Sequence, residues 1–137
     1  MTNDKPILVV EDDTVDAMTI KRAMKDLKVT NELVITGNGE EALDYLNNKE
    51  NPEPCIILLD LNMPKMNGIE FLNVAKKDPR LKIIPVIVLT TSREESDRME
   101  SFRLQVAGYM IKPVDYKQFV DTMRTIDLYW TISELPA

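Results

Sequence analysis

Short runs of consecutive apolar residues recur along this chain, and each stops at polar or charged residues rather than alternating with them. Ile7-Leu8-Val9-Val10, Leu33-Val34-Ile35, Ile56-Ile57-Leu58-Leu59 and Pro85-Val86-Ile87-Val88-Leu89 are such runs, and Tyr109-Met110-Ile111 is a shorter one. A strand that is apolar on both faces needs cover on both faces, which points to a parallel sheet enclosed between helical layers. The intervening stretches carry helical spacing. Residues 14–27 align Ala17, Ile20, Ala23, Met24 and Leu27, Glu40–Asn48 align Ala42, Leu43 and Leu46, and Ile69–Lys77 align Phe71, Leu72 and Ala75. Arg93–Val106 predicts a charged helix with Met99, Phe102 and Val106 as its apolar side and Gly108 closing it, and Asp115 to about Trp130 predicts the last helix. Five strand–helix units in series predict an α/β fold, a doubly wound parallel sheet with helices on both faces.

The length, 137 residues, suits one domain that buries a core without metal or disulfide. A net charge of −6 with no dense Lys/Arg cluster argues against nucleic acid as a partner. Cys55 is the only cysteine, so an internal disulfide is excluded. With no signal-peptide pattern and no apolar run of transmembrane length, the expected location is a reducing cytoplasm, with no membrane partner. The chain has no histidine, which excludes triads with an imidazole base and His-ligated zinc. Carboxylate, lysine and hydroxyl remain for chemistry.

The central run delivers Asp60 to its carboxyl end, and Pro64 ends regular pairing shortly after. Glu11, Asp12 and Asp13 follow the first run, Thr90 ends the fourth and Lys112 follows the fifth. A doubly wound sheet gathers all of these along one edge. Glu11 and Asp12, directly after the last strand residue, are taken as the acid pair, while Asp13 or Thr14 suits the cap of the next helix. Crowded carboxylates repel unless a cation joins them, and hard oxygen ligands without histidine or thiolate suit Mg²⁺ completed by a phosphate. Lys112 offers that phosphate a point charge and Thr90 a hydroxyl donor. An aspartate in this company, with no base to activate water, fits a carboxylate nucleophile that accepts a phosphoryl group.

Those pieces, Val10-Glu11-Asp12, Asp60-Leu61-Asn62-Met63-Pro64 with Gly68, Leu89-Thr90, and Tyr109 through Lys112-Pro113, resemble a response-regulator receiver domain of two-component signalling over essentially the full length. The resemblance implies the CheY-like (flavodoxin-like) strand order 2-1-3-4-5 and one receiver domain spanning 1–137, with a C-terminal tail at 131–137. It implies Asp60 as phosphoacceptor, Asp12 as a direct Mg²⁺ ligand beside it, Glu11 holding the metal mainly through water, and the Asn62 backbone carbonyl as a further ligand. It also implies Lys112 paired with the phosphoryl oxygens, Thr90 moving to bond them, Tyr109 following as a rotameric switch, and a cis peptide at Pro113 that aims Lys112. Thr91 departs from the small residue usual after the switch threonine, which narrows the expected access to the phosphoryl group.

The implied function is a phosphorylation-dependent switch supplied by a histidine kinase, with output through surface contacts to a downstream protein because no second domain follows the last helix. The Asn47–Pro54 loop and the Trp130–Pro136 tail resemble single-domain regulators paired with phytochrome-type sensor kinases. The alternatives are a Mg²⁺-dependent phosphatase forming an aspartyl phosphate, which typically has an acid where Asn62 stands, and a receiver-like module that binds partners without phosphorylation. Val15 and Met18 lie off the core face of their helix and suit a docking kinase. On the last helix Tyr116, Phe119, Val120, Met123, Ile126 and Trp130 form the inward stripe, leaving Leu128, Tyr129, Ile132 and Leu135 for a homodimer contact through the last helix and tail.

Overall fold

The structure is a computed structural model and describes residues 4–132, with side chains described through 130. Five strands alternate with five helices in chain order: β1 (Ile7–Val10), α1 (Thr14–Asp26), β2 (Leu33–Thr36), α2 (Gly39–Asn47), β3 (Ile56–Leu59), α3 (Gly68–Ala75), β4 (Val86–Thr90), α4 (Glu95–Arg103), β5 (Gly108–Ile111) and α5 (Tyr116–Ile132). All strand pairs are parallel and the sheet order is β2-β1-β3-β4-β5. Val10 stands beside Thr36 on one side and Leu59 on the other, so β1 and β3 end level with each other at the centre of the sheet. The chain reverses its direction of growth between these two strands, which opens a crevice at their carboxyl ends.

The side-chain period of two sorts each strand between two cores. Leu8, Val10, Ile57, Leu59, Val86 and Val88 pack with Ala42 and Leu46 of α2 and Phe71, Leu72 and Ala75 of α3. Ile7, Val9, Ile56, Leu58, Ile87 and Leu89 face Ile20, Ala23 and Met24 of α1 and Phe119, Met123, Ile126 and Trp130 of α5. The inward stripes expected on α1 and α5 are therefore observed, and Cys55 is buried in the second core. Val15 and Met18 are exposed, as their position off the core face requires.

The helix starts explain how the loops at the sheet edge are held. Asp13 caps α1, its side chain accepting from the backbone N–H groups of Val15 at 2.8 Å and Asp16 at 3.0 Å, which leaves Glu11 and Asp12 outside the cap. Asn67 and Glu70 form a reciprocal capping box on α3.

Helix α4 departs from the expected Arg93–Val106. It spans Glu95–Arg103, its only buried residue is Ser101, and Met99 and Phe102 are about half exposed. Gln105, with φ 65°, ends it, and the Val106 N–H then bonds the Ser101 carbonyl at 3.3 Å. Val106 thus reaches the core from the connection rather than from the helix. Gly108 does not close α4; it is the first residue of β5 and has no positive φ.

At Gly68 a Cβ would lie 2.5 Å from the Asp60 carbonyl oxygen and 2.8 Å from Leu61 Cα, both backbone atoms that cannot give way cheaply. Gly68→Ala should therefore cost about 1–3 kcal/mol of overpacking, read as a lower urea midpoint at unchanged slope. Wild-type stability in that variant would show that the loop after β3 tolerates displacement.

Candidate functional site

The carboxyl ends of the central strands bring Glu11, Asp12 and Asp60 together, one carboxylate oxygen of each lying within 4.8 Å of the others. Glu11 and Asp60 are buried and Asp12 is exposed, so the cluster is open on one side. The Asp60 Oδ1 accepts a 2.8 Å hydrogen bond from the Leu61 N–H, and its Oδ2 lies 3.6 Å from the Lys112 ammonium. Glu11 Oε2 accepts from the Asp13 N–H at 3.2 Å, and Glu11 Oε1 forms an ion pair with Lys112. The Lys112 side chain is 8 % exposed, and its Nζ also donates to Asp16 Oδ2 at 2.8 Å.

Asp16 was not among the residues expected at the site. Its place in the first turn of α1, just past the Asp13 cap, is the only local signal. The pairing itself joins residues 96 apart in sequence.

The Lys112–Pro113 bond is not cis: no cis peptide occurs among the described residues. A trans X–Pro bond is the lower-energy isomer, and Lys112 does not depend on the other one. Its N–H bonds the Thr90 carbonyl at 2.8 Å in line with the sheet, and its flexible stem reaches the acids from there.

Thr90 is fully buried, and its hydroxyl oxygen accepts from the Ser92 N–H at 3.3 Å. Tyr109 is half-buried beside it and donates its hydroxyl to the Ser92 carbonyl at 3.0 Å, so both side chains meet the connection after β4. The Ser92 hydroxyl in turn donates to Asp97 Oδ2 at 2.6 Å. Ser92 as the common partner was missed in the sequence, where it reads as one of a run of hydroxyl residues. Thr91 and Asn62 are exposed.

Burial raises the Glu11 carboxyl to about 7, with the Asp60 charge adding to the effect and the Lys112 hydrogen bond opposing it. Lys112 is held above its ordinary value by Asp16, Glu11 and Asp60, against a desolvation that would lower it. Three carboxylates, those of Glu11, Asp16 and Asp60, lie around the Lys112 ammonium, and Asp12 adds a fourth beside Glu11 and Asp60. Hard, crowded, undercompensated oxygens of this kind fit a divalent cation, which draws carboxylate oxygens closer and keeps waters on its open side.

A doubly wound sheet with this acid cluster and lysine at its switch point is the architecture of a phosphorylation switch, and the chain belongs to the response regulator receiver domain family, whose profile matches residues 7–124. It is a receiver domain of two-component signal transduction. Among relatives, response regulator Rcp1 of a Synechocystis species is 38% identical over 130 residues, covering 92% of this chain and 88% of that protein. A probable methanogenesis regulatory protein, FilR2 of Methanothrix harundinacea, is 39% identical over 127 residues, covering 90% of this chain and 82% of that protein. The solved Mn²⁺-bound form of Rcp1 superposes with a TM-score of 0.89 at 38% identity, covering 97% of this chain and 99% of that one. The phosphorylated cyanobacterial phytochrome response regulator RcpA gives a TM-score of 0.89 at 37% identity, covering 98% of this chain and all of that one. No helix among the described residues is long and apolar enough to cross a membrane.

The raised Glu11 carboxyl has a definite sign for stability. Between about pH 4.5 and 7 the unfolded chain ionises this group and the metal-free folded chain resists, so its contribution to stability falls as pH rises through that window. Glu11→Gln should match wild type below the window and exceed it above, by up to about 3 kcal/mol, in urea unfolding without metal. Millimolar Mg²⁺ should shrink the gap by stabilising the ionised wild type. A gap independent of pH would refute the assignment.

Proposed function

We propose that Asp60 is the phosphoacceptor of this receiver and that a sensor histidine kinase, of the phytochrome-associated kind, is its donor. The observation that carries this is the state of Asp60 itself. It is a buried carboxylate with one oxygen tied to the Leu61 N–H and the other turned toward a lysine, at the edge of an acid cluster. The kinship with Rcp1 and RcpA supports the choice of donor.

Glu11, Asp12, Asp60 and the Asn62 carbonyl would hold Mg²⁺, which when bound neutralises charge on the transferring phosphoryl group. The Asp60 oxygen attacks phosphorus, the bond from phosphorus to the donor's imidazole nitrogen breaks, and the electron pair leaves with that nitrogen. Lys112 pairs with the phosphoryl oxygens. Thr90, now bonded to the Ser92 N–H, turns its hydroxyl to the new group, and Tyr109 shifts relative to Ser92, passing the change to the surface around α4 and β5. Catalysis is confined to the domain's own gain and loss of the phosphoryl group. The whole chain, tail included, acts as one cytoplasmic receiver unit whose output is a contact with a downstream protein.

Acetyl phosphate with Mg²⁺ should add one phosphoryl mass to wild type and none to Asp60→Asn, which should be at least as stable because a crowding charge is gone. Lasting hydrolytic turnover would support a phosphatase instead, and an unmodified wild type would support a binding module. In the same assay Val15→Lys with Met18→Lys should slow transfer from the kinase and spare acetyl phosphate, since both side chains are exposed on α1 and free for a docking partner.

Homodimerisation through α5 and the tail belongs to the same proposal. Leu128 and Tyr129 are more than half exposed on α5, the kind of apolar surface a second copy covers. The Ile132 side chain and Leu135 lie outside what the structure describes. Tyr129→Glu with Leu128→Glu should convert a sedimenting dimer to monomer. A wild type monomeric at hundreds of micromolar (about −5 kcal/mol of association), phosphorylated or not, would end the idea.

A further inference from the structure

Asp16 stands apart from the metal-type cluster, which contains only Glu11, Asp12 and Asp60, yet it holds the ammonium on which the phosphoryl group depends. Lys112 has three N–H donors. One is directed to Glu11 and one to Asp16 at 2.8 Å, while Asp60 Oδ2 stays at 3.6 Å, beyond hydrogen-bond reach. The ammonium is thus drawn toward α1 and away from the acceptor.

The three acids around Lys112 differ in how firmly they can hold it. The Glu11 side chain is 2 % exposed and that of Asp60 8 %, whereas the Asp16 side chain is 40 % exposed. Water screens the Asp16 contact and can replace it, so it is the one most readily exchanged. Beside the pair lies a cleft of about 320 Å³ lined by residues that include Asp16, Thr19, Arg22, Lys112 and Val114, through which water reaches the Asp16 contact. Arg22, the other cation lining this cleft, stacks over the Tyr116 ring at 4.0 Å from its centroid.

We propose that Asp16 is a positioning residue that restrains Lys112 in the unphosphorylated protein. Phosphoryl transfer then proceeds with exchange of the Asp16 carboxylate for a phosphoryl oxygen at the ammonium. This rests on Asp60 being the phosphoacceptor. Asp16 touches neither donor nor acceptor and acts only through Lys112, which sets the strength with which an arriving phosphodonor is bound rather than the attack by Asp60.

The test is phosphoryl uptake from acetyl phosphate at saturating Mg²⁺, timed by intact mass over a range of donor concentrations. The small donor is used so that kinase docking on α1 plays no part. Asp16→Asn should lower the half-saturating donor concentration roughly three- to ten-fold, the scale of one part-exposed charge-assisted contact. The maximal rate should stay within about two-fold of wild type, because the attacking group is unaltered. Asp16→Glu, which keeps the charge, should resemble wild type. In a Lys112→Met background Asp16→Asn should have no effect. Beryllium trifluoride, a non-reacting phosphoryl analogue, gives the same cycle as dissociation constants where Lys112→Met is too slow to time. The same improvement in both backgrounds would mean a general field effect and overturn the proposal, as would unchanged or weakened donor binding in Asp16→Asn. A wild type that takes up no phosphoryl group would instead overturn the assignment of Asp60.

Discussion

Strands β1 and β3 are covered on both faces and end in register, and this forces Glu11 and Asp60 into one crevice. Everything at the site follows from that placement. Burial raises the cost of ionising Glu11, and the Asp60 charge beside it adds to that cost. The structure answers with Lys112, carried in by β5 two strands away, whose ammonium lies among Glu11, Asp16 and Asp60. Even so, the Glu11 carboxyl stays raised, chiefly by its burial and further by the Asp60 charge, against the pull of Lys112. A site built this way has an excess of carboxylates and is open on the side of Asp12, which suits a divalent cation.

The β4–α4 connection is held by a chain of hydrogen bonds centred on Ser92. Thr90 is buried at the sheet end, Ser92 accepts from Tyr109 and donates to Asp97, and α4 itself rests on the domain through little more than Ser101. An element with so few buried apolar contacts has low local stability and moves at small cost. Its exposed Met99 and Phe102 are therefore informative: α4 is attached loosely, next to the connection that Thr90 and Tyr109 hold through Ser92.

The sequence by itself determined the strands, the burial of the three central ones on both faces, and the edge that collects Glu11, Asp12, Asp60, Thr90 and Lys112, because a continuous apolar run and the charge that ends it are local signals, whereas the half-buried edge strands β2 and β5 look the same in sequence. It also determined the inward stripes of α1 and α5, whose apolar residues recur at helical spacing over several turns. Tertiary structure decided the rest. Nothing in the spacing shows that Lys112 would divide itself between Glu11 and Asp16 with a trans bond before Pro113, since those pairings cross most of the chain and depend on where helix α1 sits above the sheet. Nor could the apolar positions of α4 be assigned in advance. Met99, Phe102 and Val106 fit one helical stripe, but Gln105 adopts a left-handed backbone and ends the helix, so that Val106 turns inward while the other two face solvent. A periodic pattern reports which residues share a face, and only packing decides whether that face is covered.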